Sequence, residues 1–523
     1  MNLEHDSYAE GVVYRPGLDR LQEAVISSHF MHELCCDHRL TLYDDELFSA
    51  KAVTIATSTL TEQLIPVLLR ASEAFARNRA LAAKRRAVAN RTRYGVDDPR
   101  NVGLAEFITE VMFDRQFRRS PRETCSRQVL RGKVAQRIAD GAPIEMVIPA
   151  LPYKFSCPLK TRGQLPDLAE ANFLLGLYEI AAAIEALYRE ARHDLTGSMA
   201  RFTVISDGSR FNRLVNEPDS IVETYRQNLT RWISWLHLDA YVELLDYHAL
   251  LRDRLPQSAR EAKEGLRQEA LQRYAEIMWP VFDTHNVPAM LEAAARIDPD
   301  PEGANPQGRF VSLFKSLVFT VNYRALERFK TLSTERFCAL YRELTGHIFE
   351  PFAILSVSEL RRVANEAEDT RFSAAPAAKE YLRQAMLGEV WSAAIAYIAE
   401  IKSDRELATE PISACLPNHL RWTIHAKPGQ LGLMTAAALG KPVQAWAGSA
   451  VFKRVGLRGI RLCTLPVLAL EGAGAIPVEI DESGDALAPV GQPLFYIYPD
   501  VAFDGVDDFV TGLASRLVRK RVR

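Results

Sequence analysis

The stretch from Ile144 to Glu170 restricts the fold more than any other part of the chain, because it joins a short apolar strand to a basic turn and then to a helix. Val147, Ile148, Pro149 and Leu151 predict a buried strand that ends on prolines. Lys154, Lys160 and Arg162 follow in a loop punctuated by Gly and Pro, and Pro166 with Asp167 opens a helical pattern. Leu168, Ala171, Leu175, Tyr178, Ala182 and Leu187 mark the packing side of that helix. After a turn over His193 to Ser198, the β-branched run Phe202 to Ile205 predicts a second strand, ending at Ser206-Asp207-Gly208. Strand, helix, strand is the unit of a parallel sheet, and ligands of such sheets sit at the carboxyl ends of the strands. The basic turn and Asp207 both fall on that edge. Cations beside a helix N-terminus suit an anion, while the stretch taken alone favours a solvated loop leading into a helix.

A chain of 523 residues exceeds one typical core, so two or three lobes are expected. Lys plus Arg total 64 against 66 for Asp plus Glu, and the net charge of -2 makes no general case for nucleic acid or for an acidic membrane. Seven cysteines, an odd number spread unevenly from Cys35 to Cys463, argue against a disulfide framework and for a reducing compartment. The N-terminus is acidic and polar, and no uninterrupted apolar run approaches about 18 residues. The expectation is a soluble, cytoplasmic protein that needs neither nucleic acid nor membrane.

Residues 1–103 read as a helical N-terminal extension. Within it His29, His32, Glu33 and Cys36 share one helix face, but they match no common zinc spacing, so no metal site is expected. A second helical region over 50–88 is apolar at Leu60, Leu64, Val67, Leu68 and Phe75, and runs into Lys84, Arg85, Arg86, Arg91 and Arg93, a solvated basic face without the aromatics of a single-strand binder. The α/β domain is expected over 104–255 and 376–512, interrupted by a helical insertion over 256–375 and followed by a basic tail over 513–523. Helical patterns run from Ser220 to about Tyr274, and from Glu380 to Ile401. Beyond Leu416 a strand carries Arg421, Thr423 and His425 on one face, alternating with Trp422 and Ile424. Ile460 to Leu470 and Phe495 to Pro499 predict further strands, and Gly472-Ala473-Gly474-Ala475 reads as a turn because strand-forming residues follow it. No Walker loop, GxSxG elbow or paired CxxC is present.

Several motifs in order resemble the pyoverdine/dityrosine biosynthesis family, the PvcA-like isonitrile synthases. They are Gly141-Ala142-Pro143-Ile144; Pro152, Lys154 and Lys160; Pro166, Asp167 and Glu170; Ser206, Asp207, Gly208 and Phe211 with Tyr225 downstream; and Arg421, Thr423 and His425. The resemblance implies a Rossmann-like, mostly parallel sheet covered by helices, with the N-terminal extension and the insertion added to it. It also implies joining the α-amino group of an L-amino acid to the C2 carbonyl of ribulose 5-phosphate, or a related sugar phosphate, in secondary-metabolite biosynthesis with no cofactor. The partners implied are those two small molecules, with room for a downstream tailoring enzyme and for oligomer formation.

That chemistry needs cations for a phosphate and a carboxylate, and acid/base groups to make the imine and move protons. Lys160, Arg162 and Arg421, with Ser206 and Thr423, are the candidate substrate-binding residues; His425, Asp207 and Lys154 are the candidate catalytic ones. The chain departs from the family pattern at Phe155-Ser156-Cys157, at Arg213 where the family carries Asp, and at Ala447 where it carries His. A different amino-acid-modifying reaction, or a non-catalytic paralogue that binds a protein partner, is therefore the alternative reading.

Overall fold

The computed structural model describes residues 52–93, 103–118, 125–154, 161–191, 197–215, 217–299, 308–315, 317, 376–423, 429–433, 443–457, 459–481, 492–501, 503 and 505–519. The cluster from His29 to Cys36, together with Lys160 and His425, lies outside them.

Two five-stranded sheets organise the chain. The first has the order β4-β3-β2-β5-β6 and is parallel throughout, built from β2 (Ile144–Pro149), β3 (Ala200–Ser206), β4 (Val242–Asp246), β5 (Leu420–Thr423) and β6 (Leu431–Gly432). Its strands are covered on both faces, which is why β2 reads as an unbroken apolar run. Met146, Ile148, Phe202, Val204 and Trp422 belong to the main core, whereas Val147 and Ile205 face a second cluster with Tyr247, Leu250, Ile412 and Leu416. The second sheet has the order β1-β9-β10-β7-β8, from β1 (Val53–Ile55), β7 (Ser449–Val455), β8 (Gly459–Leu465), β9 (Ile476–Ile480) and β10 (Phe495–Ile497), and mixes parallel with antiparallel pairs.

Between the sheets runs a helix, Leu168–Ala191, apolar nearly all round. It touches β3 and β4 of the first sheet and β7 and β8 of the second, and also two helices of the N-terminal third, α1 (Ile65–Arg93) and α2 (Leu104–Met112). With α3 (Arg127–Ala139) ahead of it, this central helix is α4. Among the described residues it alone has the length and apolarity of a membrane span, and 89% of that window is buried inside the protein.

Three expectations are corrected. The N-terminal region is not a separate helical lobe over its described part: Val53–Ile55 is a strand that pairs with β9, and α1 packs against α4. Its stripe of Leu68, Ala76, Ala80, Ala83 and Ala87 is buried, so this region completes the core. The helical reading of 220–274 is broken after α6 (Asp219–Trp235), because Val242–Asp246 adds to the free edge of β3 before α7 (Tyr247–Arg254) and α8 (Gln257–Met278). A short apolar run does not by itself distinguish strand from helix, and the unpaired edge of β3 decided it. The strand predicted to reach Leu470 stops at Leu465, and Val467–Gly472 is helical. The turn after it is as expected, with Gly474 at φ +72 leading into β9.

After α7 the chain continues into α8 and α9 (Val287–Ile297). Helix α8 packs along α10 (Pro376–Glu406), which precedes the short α11 (Pro411–Cys415) and the strand β5. The described part of the C-terminal tail is docked: Val518 N donates to Ile460 O at 2.7 Å, and Arg519 Nε pairs with Glu179 Oε1 of α4 at 2.6 Å.

Candidate active site

The carboxyl edge of the first sheet is shaped by a close approach of two loops. A Cβ on Gly208 would lie 2.1 Å from the Pro152 carbonyl oxygen, so only glycine fits behind Asp207. Ser206 Oγ donates to the Leu151 carbonyl at 2.9 Å and holds that residue at φ 57, in the left-handed region. The Ser-Asp-Gly motif thus clamps the end of β3 to the turn after β2.

Lys154 is placed differently from the expectation. Its Nζ lies 2.6 Å from Asp167 Oδ2, 3.2 Å from Glu170 Oε2 and 3.1 Å from the Gly448 carbonyl, and the residue is 1% exposed. It faces internal carboxylates instead of the open side of the turn. Asp167 and Glu170 form a capping box at the start of α4: Ala169 N donates to Asp167 Oδ1 at 2.6 Å, and Asp167 N donates to Glu170 Oε2 at 2.9 Å. Leu168 N donates to Leu494 O. These first-turn donors are already satisfied, so the expected anion site at this helix N-terminus loses both the Lys154 charge and its backbone donors. Arg162 is exposed.

Burial pushes the Glu170 carboxyl up to about 8, with the Lys154 charge opposing, while Tyr225 donates to its other oxygen at 3.0 Å. In the unfolded chain this carboxyl ionises near 4.5. Over the window from about 4.5 to 8 the folded state therefore binds more protons than the unfolded one, and stability falls as pH rises through it. Glu170→Gln should remove this part of the slope, so that the variant gains on the wild type between pH 5 and pH 8 in urea denaturation. Parallel pH profiles for the two proteins would show that Glu170 ionises in the fold as it does outside it.

Asp207 is half-buried at the end of β3, and its carboxylate accepts no hydrogen bond from another side chain among the described residues. Burial raises its pKa, while Arg210 and Arg421 pull the other way. Arg421 comes from β5, where Val147 is its register partner on β2. Its Nη2 reaches Glu410 Oε1 at 3.2 Å, its Nη1 donates to the Trp422 carbonyl at 3.1 Å, and its buried Nε has no partner among the described residues. Burial pulls its pKa down against the attraction of Glu410. Thr423, buried, follows on the same strand, and Trp422 between them packs toward Phe202 in the main core. This agrees with the one-face reading of Arg421 and Thr423.

The largest charged group at this edge is one that the sequence reading missed. Arg210 Nε pairs with Glu400 Oε1 at 2.8 Å and its Nη2 with Asp404 Oδ2 at 2.6 Å, while Lys263 Nζ lies 2.6 Å from Glu400 Oε1 and 3.5 Å from Asp404 Oδ1. The Arg210 guanidinium also stacks over Phe211 and Tyr247, at 4.8 Å from each ring centre. Burial opposes ionisation of Glu400, yet Arg210 and Lys263 together hold its carboxyl below the usual range. The signal in the sequence was Glu400 and Asp404, an i, i+4 acidic pair on one side of a helix. The network ties α8 to the sheet edge through α10.

The described residues thus define an α/β protein that gathers arginine, carboxylate and tyrosine side chains where the strands of a parallel sheet end. Residues 134–310 match the profile of the family described as pyoverdine/dityrosine biosynthesis protein. The resemblance read from the motifs is borne out over that segment.

Among curated relatives, an L-tryptophan isonitrile synthase of Fischerella ambigua is 32% identical over 108 residues, 21% of this chain and 31% of that protein. The L-tyrosine isonitrile synthase of Pseudomonas aeruginosa is 31% identical over 160 residues, 30% of this chain and 44% of its own length. That of Xenorhabdus nematophila is 29% identical over 94 residues, 18% and 26% of the two chains. The chain spans less than half the length of each of these relatives. The crystal structure of the PvcA protein from Pseudomonas aeruginosa superposes with a TM-score of 0.42 at 19% identity, covering 76% of this chain and 100% of that one.

Proposed function

We propose that the protein is an isonitrile synthase-like enzyme that joins the amino group of an L-amino acid to the carbonyl carbon of ribulose 5-phosphate or a related sugar phosphate. The observation that carries this reading is Asp207, a half-buried carboxylate at the carboxyl edge of the parallel sheet, within the family-matched segment and between Arg210 and Arg421. An amino acid arrives as an ammonium ion and must lose a proton before its nitrogen can attack, and a carboxylate with a raised pKa is suited to take it. Arg421, paired with Glu410 at this edge, is the candidate fork for the substrate carboxylate. Lys160 and Arg162 stay the candidate cations for the phosphate.

Arg213 and Ala447, where the family carries Asp and His, support a second reading, a related amino-acid-modifying reaction with a different carbonyl partner. Incubating the purified protein with each proteinogenic amino acid and ribulose 5-phosphate, read by mass spectrometry, tests the proposal. An isonitrile product with at least one amino acid is the expected result. Consumption of no amino acid in the presence of the sugar phosphate would overturn the reading.

A further inference from the structure

Joining an amine to a carbonyl carbon requires two proton-handling groups at one place: a base for the ammonium, and a donor facing the oxygen on which charge develops. Asp207 serves as the first. For the second, this chain does not have the family's Asp and His: Arg213 pairs with Asp219 at 2.7 Å on the surface, and position 447 is alanine.

Helix α10 supplies another group. The Tyr397 ring lies flat on Phe211, with centroids 4.1 Å apart and planes 10° from parallel. Phe211 ends the single-turn helix, α5 (Gly208–Phe211), that Asp207 opens, so this stack fixes Tyr397 beside the same strand end. Tyr397 is half-buried, and its hydroxyl makes no hydrogen bond among the described residues. The hydroxyls of two neighbouring tyrosines are committed, Tyr225 to Glu170 at 3.0 Å and Tyr247 to Asp404 at 3.4 Å. Stacking fixes the Tyr397 ring while its one polar atom stays available.

We infer that Tyr397 is a further catalytic residue, whose hydroxyl donates a hydrogen bond to the carbonyl oxygen of the sugar substrate as the amine adds; this rests on the proposed function. In that step Asp207 takes a proton from the ammonium, and the freed nitrogen lone pair forms the N–C bond. The C=O π pair moves onto oxygen, where the Tyr397 hydroxyl meets the developing negative charge. A proton remaining on nitrogen then passes to that oxygen, giving a neutral carbinolamine. Burial, with the nearby Asp207 charge, pushes the phenol upward, so it keeps its proton near neutral pH and acts as a donor.

Tyr397→Phe keeps the ring and its stack and removes only the donor. Its kcat is expected to fall about 100- to 1,000-fold, the loss typical of one oxyanion donor. The KM for the amino acid should stay within about threefold, with an unchanged thermal midpoint. A merely structural tyrosine would leave kcat alone in this variant. Wild-type kcat in Tyr397→Phe, set beside an active wild type, would overturn the inference and leave the proposed function standing. Failure of the wild type to form any isonitrile would remove the proposed function and this inference with it.

Discussion

Lys154→Met should destabilise the protein by about 3 to 5 kcal/mol, the usual cost of removing one partner from a buried ion pair. The substitution keeps an unbranched side chain one atom shorter and deletes the charge that sits between Asp167 and Glu170. Glu170 already tends to hold its proton, so the burden falls on Asp167, which is 1% exposed and also caps α4. The Gly448 carbonyl, which marks the approach of the second sheet, loses its donor as well. Adding Asp167→Asn should restore part of the loss, because asparagine retains the capping oxygen without the charge. The measurement is the urea midpoint and slope of the single and double variants. A loss below about 1 kcal/mol in the single variant would mean that the cluster is not a closed internal one and would return Lys154 to the substrate side.

Asp207→Asn should lower kcat by about two to four orders of magnitude with the amino acid that the wild type uses, because it removes a base while keeping shape and volume. The fold should survive, since the clamp around this residue is made by Ser206 Oγ and by the glycine at 208, neither of which needs the Asp207 carboxylate. If Asp207 accepts the ammonium proton, raising the pH should recover part of the lost rate as free amine becomes more abundant. An Asp207→Asn enzyme with wild-type kcat would place the base elsewhere on the edge.

The strand–turn–helix–strand unit was legible because its two strands are buried on both faces and its helix is buried nearly all round, which leaves long apolar runs in the sequence. Arg421 and Thr423 were legible for a different reason: alternation along a strand separates them from Trp422, whichever way the sheet is packed. Charge partners were not. Lys154 reads as a cation, but whether it faces a ligand or a carboxylate depends on where the capping residues of α4 come to lie. Arg210 lies within a recognised motif, yet its partners Glu400 and Asp404 come from a helix nearly two hundred residues on, and no local period connects them. Tyr397 falls within the helical pattern from Glu380 to Ile401, and only the fold brings it onto Phe211.

The pairing of Val53 with Val478 has a consequence for how the chain comes to be folded. A ribosome releases the first of these residues long before the second exists, and the first sheet likewise waits for Leu420 to pair with Met146. Neither sheet can close while the chain is still being made, and α4, whose apolar surface both sheets cover, stays partly uncovered until then. Long-range pairing of this kind slows folding, because the loops must be closed before any contact rewards them. The nascent protein therefore carries a sticky helix through most of its synthesis, and its yield on expression should respond to chaperone supply and to growth temperature more strongly than its final stability would suggest.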